Sequence, residues 1–318
     1  MILRMSMITR MNQTVRNAAV IGLGLCLLAM PPAGLAATAS PKAPRVPRTA
    51  RAPYLGAIVL NAASGRVLFE DHADAKGYPA SVLKLMDLLL CLEKIERGQL
   101  SLQDQVTVSA KASHTGGSRV WLAEKESFTL DEMLYALMVQ SANDAAVALA
   151  EKLAGSTEGF VQLMNKRAKE LGMAGTVFHS VHGLPPGAGQ QPDLTTARDL
   201  SLLCAELLKH PDTLRYCSTR QRPFRTNVPA KTVVMRTHNH LMGRLEGCDG
   251  LKTGWIEAAG YSIAVTAARH GQRVIVVVLD STTLRIRDDK AAELAEKGFA
   301  ILSSGPPRAT VPAPAPGR

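Results

Sequence analysis

The sequence predicts an α+β domain, an antiparallel sheet flanked by helices and carrying a helical subdomain, and three observations predict it. β-prone runs lie at both ends of the chain, Gly56 to Leu60 and Arg66 to Glu70 near the start, Tyr261 to Ala268 and Arg273 to Asp280 near the end. Between about 81 and 210 the pattern turns helical, most clearly over Leu130 to Val139, Asp144 to Ala154 and Glu158 to Leu171. Each pair of runs is joined by turn chemistry, Ala63-Ser64-Gly65 and His270-Gly271-Gln272, as hairpins of one sheet assembled from distant parts of the chain would be. With 46% hydrophobic and 20% charged residues the bulk of the 318-residue chain can bury a sizeable core, which excludes disorder. There is no fixed-period repeat and no glycine at every third residue, which excludes solenoids, propellers and collagen.

Taken in order, residues 1–36 read as a secretory signal peptide. Arg4, Arg10 and Arg16 precede an apolar run from Ala18 to Met30, then come Pro31, Pro32 and small residues up to Ala36 and Ala37, with cleavage expected near Ala36. The run is shorter than the roughly 20 apolar residues of a membrane span, and Leu25 is too bulky a neighbour for Cys26 to be a lipidation site. Residues 37–53 and 303–318 are Pro-rich, basic and without acids, so they are expected to be disordered flanks of a folded core at 54–302. The six cations of these flanks and the three of the leader account for nearly all of the net charge of +10. A near-neutral core argues against nucleic acid as a partner. The expected location is the periplasm or cell envelope, without a firm membrane anchor.

Cys91, Cys204, Cys217 and Cys248 remain after the leader, too sparse for a disulfide scaffold and with no pairing that the sequence reveals; Cys91, within an apolar helical run, reads as a small core residue. No zinc pattern is present. His238-Asn239-His240 is the only tight histidine pair, and no third ligand is evident.

The chemistry is carried by three short motifs. Pro79-Ala80-Ser81-Val82-Leu83-Lys84 opens a helix that is apolar almost all round over Leu85 to Glu96, so Ser81 is pinned to a buried element. At i, i+3 spacing Lys84 lies on the same face, one turn on. A lysine there accepts the serine proton only as a neutral amine, and burial with the positive end of the helix dipole pushes it that way. Ser-x-x-Lys alone is weak, being also the pattern of an N-cap serine with a snorkelling lysine. Ser141-Ala142-Asn143, in a break between two helices, and Lys252-Thr253-Gly254, at the start of the C-terminal strand region, change the odds. Each motif occurs once, in the order of penicilloyl-serine enzymes.

The sequence thus resembles the low-molecular-mass penicillin-binding proteins, the serine D-alanyl-D-alanine carboxypeptidases and related murein D,D-endopeptidases. The likeness runs from Ala63-Ser64-Gly65-Arg66-Val67-Leu68 through Ser141 to Ala146 and Leu171-Gly172-Met173 to Asp249 to Gly254 and Ala259-Gly260-Tyr261. It implies a β-lactamase/D,D-peptidase-like core over 54–302, peptidoglycan stem peptides as substrate, β-lactam antibiotics as covalent inhibitors, and no metal or organic cofactor. Carried over, Ser81 is the acylated nucleophile, Lys84 its proton acceptor and Ser141 a hydroxyl relay to the leaving amine. Asn143 would hold the substrate backbone. Lys252 with Thr253 would attract the terminal carboxylate, and Gly254 would let the substrate approach the strand. The backbone N–H groups of Ser81 and Trp255 would bind the oxyanion, each such donor worth about 3 kcal/mol of barrier.

Two positions depart from the family pattern. Leu83 stands where a small hydroxyl residue is usual, and Pro185 to Asp193 lacks a histidine that relatives tend to carry before the Thr-Ala motif. A class A β-lactamase shares the motifs, but no Glu-x-x-x-Asn lies between Asn143 and Lys252 to activate a deacylating water. An idle wall-binding protein that keeps the fold is the reading from outside enzymology; the retained catalytic side chains speak against it. Ser118-Arg119-Val120 looks somewhat like the endopeptidases and Ser141-Ala142-Asn143-Asp144 like the carboxypeptidases.

Overall fold

The computed structural model describes residues 53–304. The expected leader and nearly all of the expected linker and tail lie outside the described residues. Along the chain come the strands β1 (Gly56–Asn61) and β2 (Val67–Asp71), then the helix α1 (Lys84–Glu96). Strand β3 (Gln105–Thr107), helix α2 (Ala110–His114) and strand β4 (Ser127–Thr129) lead into the helices α3 (Leu130–Val139), α4 (Asn143–Ala154), α5 (Thr157–Glu170), α6 (Ala197–Leu207) and α7 (Thr213–Cys217). Strands β5 (Gln221–Phe224), β6 (Val233–Arg236), β7 (Cys248–Ile256), β8 (Gly260–Arg269) and β9 (Gln272–Ser281) and the helix α8 (Leu284–Ser303) complete the order.

The main sheet is fully antiparallel, ordered β2-β1-β9-β8-β7, so its N-terminal and C-terminal hairpins meet at the β1–β9 pair, as expected. β9 explains why this arrangement holds. Its run Val274-Ile275-Val276-Val277-Val278-Leu279 is fully buried, and a strand points alternate side chains to opposite faces. Ile275, Val277 and Leu279 join Ile58 and Leu60 in the core beneath the helical subdomain. Val274, Val276 and Val278 join Val59 in a second core with Leu294, Ala295 and Phe299 of α8. One strand therefore ties together both layers.

The predicted helices appear within a residue at most ends. A capping box fixes the start of α3, where Thr129 accepts from the Glu132 N–H and the Glu132 carboxylate reaches back to the Thr129 N–H. α8 departs from expectation. It was expected from Arg287, but Thr283 accepts from the Ile286 N–H and starts the helix at Leu284. The two-stranded sheets β3–β4 and β5–β6 were not expected. Among the described residues the four cysteines are free thiols, with Cys91 in the core as predicted. Among the described residues no helix is long and apolar enough to cross a membrane.

Helix α1 is the axle of the helical subdomain, with every residue from Lys84 to Glu93 buried. That includes Asp87, which is 1% exposed and has no hydrogen-bond partner on either carboxylate oxygen. Burial pushes its carboxyl well above the ordinary range, and the opposing pull of Lys84 does not compensate. Asp87 is therefore held as the neutral acid, while the unfolded chain ionises it at an ordinary carboxylate pKa. As pH rises above about 4, the unfolded state gains from that ionisation and the folded state does not. Asp87→Asn removes this term, so the variant's stability relative to the native chain should rise between pH 4 and 6, by up to about 1.4 kcal/mol per pH unit. Denaturant titrations at several pH values measure it; a pH-independent difference would mean that Asp87 is ionised in the folded protein.

Candidate active site

Ser81 lies in a 3-10 turn, Ala80–Leu83, that runs directly into α1 and leaves the serine partly exposed at the foot of a buried helix. Lys84, the first residue of α1, is 0% exposed. Its Nζ is 2.9 Å from Ser81 Oγ, 2.7 Å from Asn143 Oδ1 and 2.9 Å from the carbonyl oxygen of His182. A neutral amine has two N–H donors and one lone pair. The carbonyl-type oxygens of Asn143 and His182 can only accept, so they take the two N–H bonds and the lone pair is left for the Ser81 hydroxyl. Burial, the largest influence, pushes the Lys84 pKa down to about 7, against the smaller opposing pull of Asp87, Asp193 and Asp144.

The surrounding backbone is packed to hold this geometry. Gly183 has φ +75°, and a Cβ there would fall 2.1 Å from the Ala80 carbonyl oxygen, so the loop that presents the His182 carbonyl lies directly on the nucleophile's turn. The His182 ring stays neutral, its pKa lowered to about 4 by burial and then by Lys84. On the other side, a Cβ on Gly254 would sit 2.8 Å from Pro79 O and 3.0 Å from the Ser81 nitrogen. Room for substrate was the expected reason for glycine; in the folded chain it is the Ser81 turn itself that needs the space.

Ser141 occupies the break between α3 and α4, in the left-handed region at φ +60°, and lines the cleft. Asn143 opens α4. Its N–H donates to the Ser118 carbonyl, its Nδ2 donates to the Gly116 carbonyl at 2.8 Å, and its Oδ1 holds Lys84. Both ends of the amide that was expected to hold substrate are thus engaged with the protein. Next to it the buried Asp144 carboxylate accepts from the Val120 and Leu122 N–H groups and pins the 118–122 segment across the start of α4.

Lys252, Thr253, Gly254 and Trp255 all lie on the edge strand β7. Lys252 is buried and donates to the Thr253 carbonyl at 2.9 Å. Burial, aided by the nearby Lys84, pushes its pKa well below the ordinary lysine value. The cleft, about 580 Å³, is lined here by Thr253, Gly254 and Trp255, and by a residue that sequence reasoning missed, Arg287. Arg287 is 2% exposed and its Nε and Nη2 donate to Asp288 Oδ1 at 2.8 and 2.7 Å. The other Asp288 oxygen lies 3.4 Å from His240 Nδ1. The misplaced start of α8 hid Arg287, because it was read as a helix terminus when it stands a turn inside, against the cleft.

His238 also lines the cleft, with its pKa lowered to about 4 by burial and then by Lys252. Elsewhere, Glu93, Glu206 and His210 bring possible metal-ligand atoms within 4.8 Å of one another. Arg167 occupies that cluster, donating to Glu93 at 2.7 Å and Glu206 at 2.8 Å, which makes it an ion-pair network.

Comparison with known proteins agrees with this geometry. The family model described as D-alanyl-D-alanine carboxypeptidase matches residues 43–283. The chain is 31% identical over 284 residues to the D-alanyl-D-alanine carboxypeptidase DacF of Bacillus subtilis, covering 89% of this chain and 71% of that one. It is 34% identical over 279 residues to DacC of Escherichia coli, covering 84% and 67%. Among solved structures, penicillin-binding protein D2 of Listeria monocytogenes with bound ampicillin superposes with a TM-score of 0.69 at 32% identity, over 80% of this chain and 100% of that one. DacD of Francisella tularensis gives 0.73 at 25% identity, over 82% and 73%. With the lysine-coordinated serine, the three ordered motifs and a family match over most of its length, the chain belongs to the D-alanyl-D-alanine carboxypeptidase family of low-molecular-mass penicillin-binding proteins.

Proposed function

We propose that this chain removes the terminal D-alanine from peptidoglycan stem peptides through an acyl-enzyme on Ser81. The observation that carries the proposal is the fully buried Lys84 amine, whose N–H groups are taken by Asn143 and His182 while Ser81 Oγ lies 2.9 Å away. The Ser81 hydroxyl gives its proton to Lys84 as Oγ attacks the carbonyl of the penultimate D-alanine. The oxyanion is received by the backbone N–H groups of Ser81 and Trp255, which the close contact at Gly254 keeps side by side. Lys84 then returns the proton through the Ser141 hydroxyl to the departing nitrogen, the bond to the terminal D-alanine breaks, and water hydrolyses the ester to regenerate Ser81.

The terminal carboxylate is taken by the Thr253 hydroxyl and Arg287, with Lys252 buried behind them. In this reading Arg287 is the direct cation because it lines the cleft, whereas the Lys252 Nζ donates to the Thr253 carbonyl. A β-lactam enters by the same route, as the ampicillin-bound Listeria relative suggests. The endopeptidase alternative attacks the same kind of carbonyl; mass analysis of products from muropeptide monomers and cross-linked dimers separates the two. The leader at 1–36 supports export of the chain to the cell envelope; recovery of the full-length chain only in the cytoplasmic fraction would refute that.

A fluorescent penicillin should label the mature protein covalently, and Ser81→Ala should abolish the label. Lys84→Ala should slow acylation by orders of magnitude while leaving the protein folded, since base and nucleophile act as a unit. Only the amine form of Lys84 accepts the proton, so the acylation rate should fall about tenfold per pH unit below the Lys84 pKa of about 7 and level off above it. A rate flat from pH 5 to 8 would remove Lys84 from the role of base. Arg287→Ala and amidation of the substrate C-terminus should each lower kcat/KM, and the two losses should not add, with a coupling of roughly 0.5–3 kcal/mol. Full additivity would place the carboxylate elsewhere.

A further inference from the structure

From Thr213 to Leu245 the chain carries seven lysines or arginines and no acidic residue, within a core that is near neutral as a whole. The β5–β6 hairpin lies in the middle of that stretch. Its strands pair Pro223 with Val234 and Gln221 with Arg236, and all four of these residues are exposed, whereas Phe224 and Met235 are buried. One face of the hairpin therefore packs inward and the other meets solvent. The turn from Val228 to Lys231, between the strands, is exposed at every residue.

Among the described residues seven large hydrophobic side chains are exposed, and three of them stand here: Val228 at 39%, Val234 at 47% and Trp121 at 63%. Trp121 is brought to the hairpin by the buried Arg225, whose guanidinium donates to the Trp121 carbonyl at 3.1 Å and to the Lys231 carbonyl at 3.4 Å. Val120 and Leu122 on either side of it are buried, with their N–H groups held by Asp144, which leaves the indole the outward direction. Arg119 lies over the ring at 4.0 Å and pairs with no described carboxylate. The Arg236 guanidinium reaches only the amide oxygen of Gln221, and Lys231 shares the single carboxylate of Glu126 with Arg225. Apolar side chains and surplus positive charge thus occupy one exposed surface, and the proposed acyl transfer uses none of them.

We propose that this surface docks reversibly on an anionic phospholipid bilayer, with Trp121 and the turn from Val228 to Lys231 in the headgroup layer and Arg119, Lys231 and Arg236 against lipid phosphates. An indole settles at that depth because its rings are apolar while its N–H stays wet. Lysine and arginine lay their methylene stems along apolar surface and keep their charged ends among the phosphates. A soluble polyanion would match the charges but leave the indole and both valines in water, so the combination favours a bilayer.

The test is the partition of the mature protein onto vesicles of phosphatidylethanolamine and phosphatidylglycerol, compared with vesicles of phosphatidylcholine alone. The native protein should sediment with the anionic vesicles only, and less so as salt is raised. Lys231→Gln with Arg236→Gln should lower the partition about fivefold for each cation removed. Lys166→Gln with Lys169→Gln, the same loss of charge on α5, should change it by less than about twofold, and the basic flanks are common to every variant. Equal losses in the two pairs would overturn docking by this face. Trp121 and Trp255 are the two tryptophans of the chain, so in a Trp255→Phe background the emission reports Trp121 alone. It should move to the blue on anionic vesicles and be quenched by brominated phosphatidylcholine within them; an unquenched indole on bound protein would overturn its place in the headgroup layer. Penicillin labelling of Ser81 in the hairpin variants shows that a lost partition is not a lost fold. Binding to purified peptidoglycan that depends on Trp121, Lys231 and Arg236, without binding to vesicles, would assign the face to a wall polymer and overturn the bilayer.

Discussion

A lysine amine removed from water, with its N–H bonds taken up by two fixed oxygens, is the constraint to which the rest of this site answers. Burial alone gives Lys84 a proton-free lone pair near neutral pH, but it does not aim it. Aim comes from Asn143 Oδ1 and the His182 carbonyl at 2.7 and 2.9 Å, and each of these has its own support. Asn143 is held by the Gly116 carbonyl and by its place at the head of α4, and the His182 carbonyl by a loop that reaches the Ser81 turn only because residue 183 is glycine. The turn before α1, the head of α4 and the 182–184 loop each contribute one contact to a single nitrogen. Such an arrangement cannot be assembled from any one element.

The cost of that desolvation is visible in the fold. α1 carries its first ten residues out of water, Lys84 and Asp87 among them, and neither forms an ion pair with the other. Two buried ionisable groups without mutual hydrogen bonding are both driven toward their neutral forms, since the medium offers neither charge adequate solvation. An ionised Asp87 would hold Lys84 protonated and unable to accept from Ser81. The orphaned acid is tolerable in a catalytic helix because it stays uncharged, and the apolar residues around it enforce that.

Much of this was legible in the sequence, for identifiable reasons. Ser81 and Lys84 stand at i, i+3 in a pattern that must be helical, and Ser141 falls where two helical patterns break, so short-range periodicity located both. The two hairpins were legible because β9 and β1 carry apolar residues on both faces. β7 was less so: Gly250 and Gly254 weaken its strand pattern, and they are there because a neighbouring backbone or side chain comes close, a requirement set by parts of the chain far away in sequence. Arg287 was lost with the start of α8, which one hydroxyl at Thr283 decides. The dual engagement of Asn143 depends on Gly116 and Lys84, separated from it by 27 and 59 positions, which no local pattern reports.

Three basic side chains meet around the cleft in different surroundings. Arg287 is paired with the Asp288 carboxylate at 2.7 Å. Lys84 and Lys252 are both buried, and Lys84 lowers the affinity of Lys252 for a proton. A carboxylate arriving beside Thr253 adds a negative charge close to Lys252, in a setting where the low dielectric makes such a charge count strongly. It favours a proton on Lys252, which shares β7 with Thr253, and a proton on Lys252 opposes one on Lys84. Under the proposed assignment the terminal carboxylate adjoins Lys252 on β7, so recognition of the substrate's end and activation of the nucleophile are electrostatically linked through two buried lysines.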